Sequence, residues 1–166
     1  MSAGLFRAME GSWRGEGIGE YPPSVAPFKF SIDFTLRGIA PSTWEVRIER
    51  RSFDTGQLSS LELGSIKSKS CDNSSGKLEF AVVHSMSGLT ELSSGNYSDD
   101  TFEVTCRNEN FCQSNLGFEP STLEYRRVVQ LKQPEEGKPY LEILVEKATS
   151  ENAMQSYLVS RLYKIR

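Results

Sequence analysis

The segment from Phe28 to Arg37 alternates without a break. Phe28, Phe30, Ile32, Phe34 and Leu36 fall on one side, and Lys29, Ser31, Asp33, Thr35 and Arg37 on the other. A helix repeats every 3.6 residues and cannot use this pattern, whereas a half-buried strand requires it. Trp44, Val46 and Ile48 repeat the pattern against Glu45, Arg47, Glu49 and Arg51. Gly38 to Ser42 carries the Gly and Pro punctuation of a turn. Two amphipathic strands joined by a short link form an antiparallel hairpin.

Further strands are expected near 12–20, 61–70, 77–84, 87–95, 101–107, 122–132, 139–149 and 155–165, about ten in all. Asp54-Thr55-Gly56, Asp72 to Gly76, Ser98-Asp99-Asp100 and Pro134 to Pro139 separate them as turns. Leu5 to Glu10 is expected as a short helical turn, and Asn108 to Pro120 as a loop long enough to serve as a mouth or lid. Such strands must hide one face and their edges, so a sandwich or a closed barrel is required. With 166 residues, positions 1–166 are expected to form one domain with its own core. The nine Phe, six Tyr and two Trp suit either a filled core or a flat apolar ligand.

Charge and motifs exclude several classes. Nineteen Lys and Arg against 22 Asp and Glu give a net charge of −3, which lacks the basic footprint of a nucleic-acid binder. The pairs Arg50-Arg51 and Arg126-Arg127 are read as solvated strand ends. No apolar run approaches a membrane span and no secretory h-region opens the chain. Cys71, Cys106 and Cys112 are scattered and odd in number, as for reduced thiols in the cytoplasm, with the nucleus also open. His84 is the only histidine and is read as structural or solvent-facing. One His with scattered Cys makes no usual zinc site. No Ser stands in a G-x-S-x-G elbow, so no residue is assigned a catalytic role. Gly15, Gly17 and Gly19 alternate but open no helix, so they read as a bend or a close approach within a strand.

Gly11-Ser12-Trp13-Arg14-Gly15-Glu16-Gly17 matches G-x-W-x-G-x-G, and the match continues through Gly19-Glu20-Tyr21-Pro22 and Pro27 to Phe30. Ser87 to Leu92 with Gly95, and Ala148 to Leu158, follow in the same order. In these motifs the chain resembles the nitrobindins, whose relatives include the C-terminal domain of a THAP-type zinc-finger protein. The resemblance implies a ten-stranded antiparallel barrel, distantly like fatty-acid-binding proteins and lipocalins. It also implies a ferric heme at one end that binds nitric oxide and isomerises peroxynitrite, on an axial His in the last strand.

This chain departs from the pattern at that place. Tyr157 stands at the axial position, Pro23 replaces an expected Thr, and Leu123 replaces an expected Lys. The segment from Ser60 to Gly64 lacks a His. Tyrosinate can hold ferric heme when a nearby cation favours the phenolate. Strand alternation would place Val159 and Arg161 on the face of Tyr157. The leading expectation is a barrel that binds a hydrophobic small molecule, heme or lipid-like. The alternatives are heme chemistry with Tyr157 as the iron ligand, or a packed barrel that acts as an interaction module.

Overall fold

The computed structural model describes residues 4–20, 26–70, 74–107, 111–112 and 122–165, with 111–112 as backbone. A six-residue helix, α1 (Gly4–Met9), precedes eleven strands. They are β1 (Gly11–Gly19), β2 (Phe28–Ala40), β3 (Thr43–Ser52), β4 (Leu58–Ser70), β5 (Gly76–His84) and β6 (Leu89–Tyr97). β7 (Thr101–Arg107), β8 (Phe111–Cys112), β9 (Thr122–Lys132), β10 (Tyr140–Thr149) and β11 (Gln155–Lys164) complete the chain.

The order is β5-β4-β3-β2-β1-β11-β10-β9-β7-β6, and a β5–β6 pairing closes the ring. All of these pairs are antiparallel. Ten long strands therefore make an up-and-down barrel without an open edge, while among the described residues the two-residue β8 pairs with Thr90 and Glu91. No helix among the described residues is long and apolar enough to cross a membrane.

Alternation sorts the core as expected. Phe30, Ile32, Phe34 and Leu36 of β2 face Trp44, Val46 and Ile48 of β3 around the interior, all buried. Phe28 departs from this, being 41% exposed. β2 also runs two residues past Gly38, through a register shift between Gly38 and Ala40.

The short helix closes one end. Leu5, Phe6 and Met9 are buried there, and the Phe6 ring lies 4.8 Å from Trp44, 5.3 Å from Tyr97 and 5.7 Å from Phe102. Trp13 Nε1 donates to the Met9 carbonyl at 2.8 Å, and Trp44 Nε1 donates to Glu10 Oε1 at 2.8 Å. The Trp of the N-terminal motif thus ties the plug to the wall.

The motif glycines serve closure. A Cβ on Gly15 would stand 1.8 Å from the Arg161 carbonyl oxygen on β11, and one on Gly17 would stand 2.3 Å from the Phe30 ring. The close approach comes from the neighbouring strand and an aromatic cover within the chain. Gly11, with φ of 120°, begins β1.

Candidate functional site

The end opposite α1 is polar. It gathers the distal parts of β3, β4, β5, β6, β9, β10 and β11. The key element is a bulge in β11. Val145 pairs with Leu158, but Glu146 pairs with Ser156, so Tyr157 is the extra residue. A bulge re-aims a side chain that alternation would send outward. Leu158, Ser160 and Leu162 face the core, and Tyr157 packs against it as well. This corrects the expectation for Val159 and Arg161. Val159 is 45% exposed, and Arg161 lies outside, 3.6 Å from Glu142 and 4.5 Å over the Tyr140 ring.

The cation beside Tyr157 is Lys147. It shares the inward parity of Leu141, Ile143 and Val145 on β10, and it pairs directly with Tyr125 of β9. Its Nζ lies 5.2 Å from the centre of the Tyr157 ring. Burial lowers the Lys147 pKa from its ordinary value. Tyr125 meets Tyr157 edge-on at 6.2 Å and His84 at 5.8 Å. Burial first, then the charges of Tyr157 and Glu62, push the Tyr125 phenol well above 10, so it stays neutral.

Next to these rings lies an ion cluster. Glu62 Oε1 accepts a short hydrogen bond from Arg50 Nη1, and Glu62 Oε2 lies 2.8 Å from Arg127 Nη1 as an ion pair. Arg127 Nη2 lies 3.5 Å from Glu91 Oε2, which also receives His84 Nε2 at 2.8 Å. Ser93 Oγ donates to Glu91 Oε1 at 2.8 Å, and the Arg127 guanidinium covers the Phe80 ring at 4.8 Å. Burial pushes the Glu62 carboxyl up. The charges of Arg127, Arg50 and His84 outweigh it and hold the group well below the ordinary range. Burial opposes the Arg127 charge, but Glu62 and Glu91 more than restore it. Two Arg and two Glu balance, as buried charges must. Arg50 Nε and Arg127 Nε find no acceptor among the described residues.

The reading of the Arg pairs as solvated is therefore corrected. Arg51 and Arg126 do point outward, each toward surface Glu partners. Arg50 and Arg127 are only 4% and 1% exposed. Adjacent strand residues face opposite sides, so one Arg of each pair had to enter the interior.

The other expected positions scatter. Ser60 is half-buried and accepts a hydrogen bond from Arg50 Nη1 at 3.1 Å. Leu123 shares the numerical parity of Tyr125 but is 37% exposed: Ala148 pairs with Glu124 and Thr149 with Thr122, so Leu123 is the extra residue of a bulge in β9 and faces outward. Pro23 lies outside the described residues. His84 is mostly buried and belongs to the ion cluster through Glu91. Gly11, Trp13, Gly15 and Gly17 serve the plug and the β1–β2 and β1–β11 seams. Cys106 is buried, and burial pushes its thiol up to about 11, which disfavours the reactive thiolate. Among the described residues no group of three His, Cys, Asp or Glu side chains could hold a metal ion.

A plugged, closed barrel with polar side chains gathered at its other end defines a class of small-molecule-binding barrels. The family model described as "THAP4-like, heme-binding beta-barrel domain" matches residues 3–164, so the chain belongs to that family, the nitrobindins. A solved structure, "Crystal Structure of Rv2717c from M. tuberculosis", is similar over 100% of both chains, with a TM-score of 0.78 and 19% identity. That likeness shows a shared fold. No curated protein matches the chain.

The family's description names heme. Tyr157 presents a phenol from a side chain packed against the core, a donor type that ferric heme accepts, with Lys147 Nζ over its ring.

Proposed function

We propose that this barrel binds a flat hydrophobic molecule at the end opposite α1, against Tyr157 and Tyr125. The bulge at Tyr157 carries the reading. It turns a large aromatic inward at the position where the last strand approaches the mouth. A bulge conserves barrel closure while re-aiming one side chain, which suits a site rather than a wall. The test is a fluorescence titration with 8-anilinonaphthalene-1-sulfonate, an apolar dye that brightens in a dry pocket. Saturable one-to-one binding is expected, weakened several-fold by Tyr157→Ala and unchanged by Tyr163→Ala on the outer face. Unsaturable dye binding, equal in both variants, would overturn it and favour a packed interaction module.

A second reading has its own observation. Lys147 beside the Tyr157 ring favours a phenolate, the form of Tyr that ligates ferric heme. When bound, heme supplies an iron with an open position for nitric oxide or peroxynitrite. The chain's own part is to hold the phenol oxygen, keep a cation beside it and exclude water with Tyr125. Placement in a reducing compartment belongs to the same proposal and rests on the scattered cysteines.

A further inference from the structure

We propose that the outer face of β1, β11, β10 and β9 is a self-association surface, on which a second copy of this chain docks across a two-fold axis running along the strands between β10 and β11.

Strand register brings four apolar side chains into one row on that face. Ile18 pairs with Val159, Val159 with Leu144, and Leu144 with Val128. Ile18 and Val159 are 47% and 45% exposed, and Leu144 and Val128 are half-buried. Single apolar side chains on a surface mean little, but a row across four neighbouring strands is a patch. Polar rows flank it on both sides. Glu16, Arg161, Glu142 and Gln130 form the first, in the same strand order. The second holds Glu20, whose backbone N–H donates to the Tyr157 carbonyl at 2.9 Å, and the ion pair of Glu146 with Arg126. An apolar centre within a charged rim is the anatomy of a protein interface.

The charges select the occupant. A two-fold along the strands exchanges β11 with β10 and β1 with β9, and it keeps each row opposite itself. Val159 then meets the partner's Leu144, and Ile18 meets the partner's Val128. Arg161 meets the partner's Glu142, and Glu20 meets the partner's Arg126. Apolar faces apolar and each charge faces its opposite, so the surface is complementary to itself, as a two-fold interface must be. A two-fold along the rows would instead exchange the two polar rows. It would set Glu142 against the partner's Glu146 and Glu16 against the partner's Glu20. Like charges face to face reject a partner, so the register favours the first arrangement. Four strands and three rows span roughly 20 Å by 20 Å. That is about 400 Å² per copy, the low end for specific association, so the dimer is concentration-dependent.

Sedimentation velocity of the full chain, from low micromolar to near-millimolar concentration, tests this. A monomer–dimer equilibrium is expected. Arg161→Glu and Glu142→Arg each set like charges against each other across the axis, and each should weaken self-association at least tenfold. An equimolar mixture of these two variants should recover dimers of wild-type strength, because each carries the charge that the other has lost. Val159→Asp is an independent variant that buries a charge in the apolar row and should prevent dimers alone and in mixtures. Melting temperatures near the wild-type value show that the variants are folded. A wild type that stays monomeric over the whole range would overturn the proposal. So would any of the three variants dimerising as the wild type does, or a mixture no more dimeric than its two components.

Discussion

Arg127 Nη1 stands 2.8 Å from Glu62 Oε2, and each of these side chains is 1% exposed. The pair joins β9 to β4 through the barrel interior, where neither strand neighbours the other. Taking one partner away leaves the other charged and dry. Arg127→Met should therefore cost about 3–5 kcal/mol. Arg127→Met with Glu62→Gln restores the balance of charge and should cost less than the sum of the single changes. Urea unfolding of the four proteins checks this, and strict additivity would contradict it.

The same pair sets a pH dependence. The folded state holds the Glu62 carboxyl well below its ordinary 4.5. A depressed carboxyl pKa gives stability that is fully present above the unfolded value and is lost as pH falls toward the folded one. Stability should thus decline as pH falls below about 4.5, where the unfolded chain binds the proton first. Urea midpoints followed by circular dichroism from pH 7 to pH 3 should fall less steeply in Glu62→Gln than in the wild type, although the variant starts lower.

The seam between β1 and β11 leaves no room for a side chain at Gly15. A Cβ there would meet the Arg161 carbonyl oxygen at 1.8 Å, and backbone cannot swing aside. Gly15→Ala should destabilise by at least about 1–3 kcal/mol, the cost of overpacking. At Gly4 nothing lies within 4 Å, so Gly4→Ala should change stability by no more than about 1 kcal/mol. Thermal melts of the two variants side by side test the contrast.

The plug should be separable from the mouth. Phe6 is fully buried against Trp44, Tyr97 and Phe102 at the closed end. Phe6→Ala should cost about 3–5 kcal/mol by leaving a cavity. Dye affinity of the folded fraction at the opposite end should remain at the wild-type value. A melt paired with the dye titration checks both halves.

The barrel was legible because period-two alternation is a local signal that tertiary packing reinforces. Phe30 to Leu36 show it without exception, and Leu158 to Leu162 follow it too, with the break at the residue just before them. That residue, Tyr157, is where the site lies. A bulge is a pairing event between two strands, so the run Gln155-Ser156-Tyr157-Leu158 does not reveal it. Arg161 was therefore matched to Tyr157 in place of Lys147. The ion cluster was legible in part. Arg50 continues the parity of Trp44, Val46 and Ile48, and Arg127 lies two residues before Val129 on the same face. Parity alone thus aimed both inward. What the sequence lacked was their partners, because Glu62 and Glu91 meet Arg127 only when the barrel closes. Leu123 is a second case of the kind seen at Tyr157, since it shares the parity of Tyr125 and Arg127 and is turned outward only by the register shift opposite Ala148 and Thr149.

The central claim is that the end of the barrel around Tyr157 is a ligand site. A visible absorption titration of the protein with hemin tests it most directly, run beside Tyr157→Phe and Tyr157→His. The account predicts one-to-one saturation, with a Soret band that changes when residue 157 changes. Unsaturable hemin uptake in all three proteins, or one identical band in all three, would contradict it.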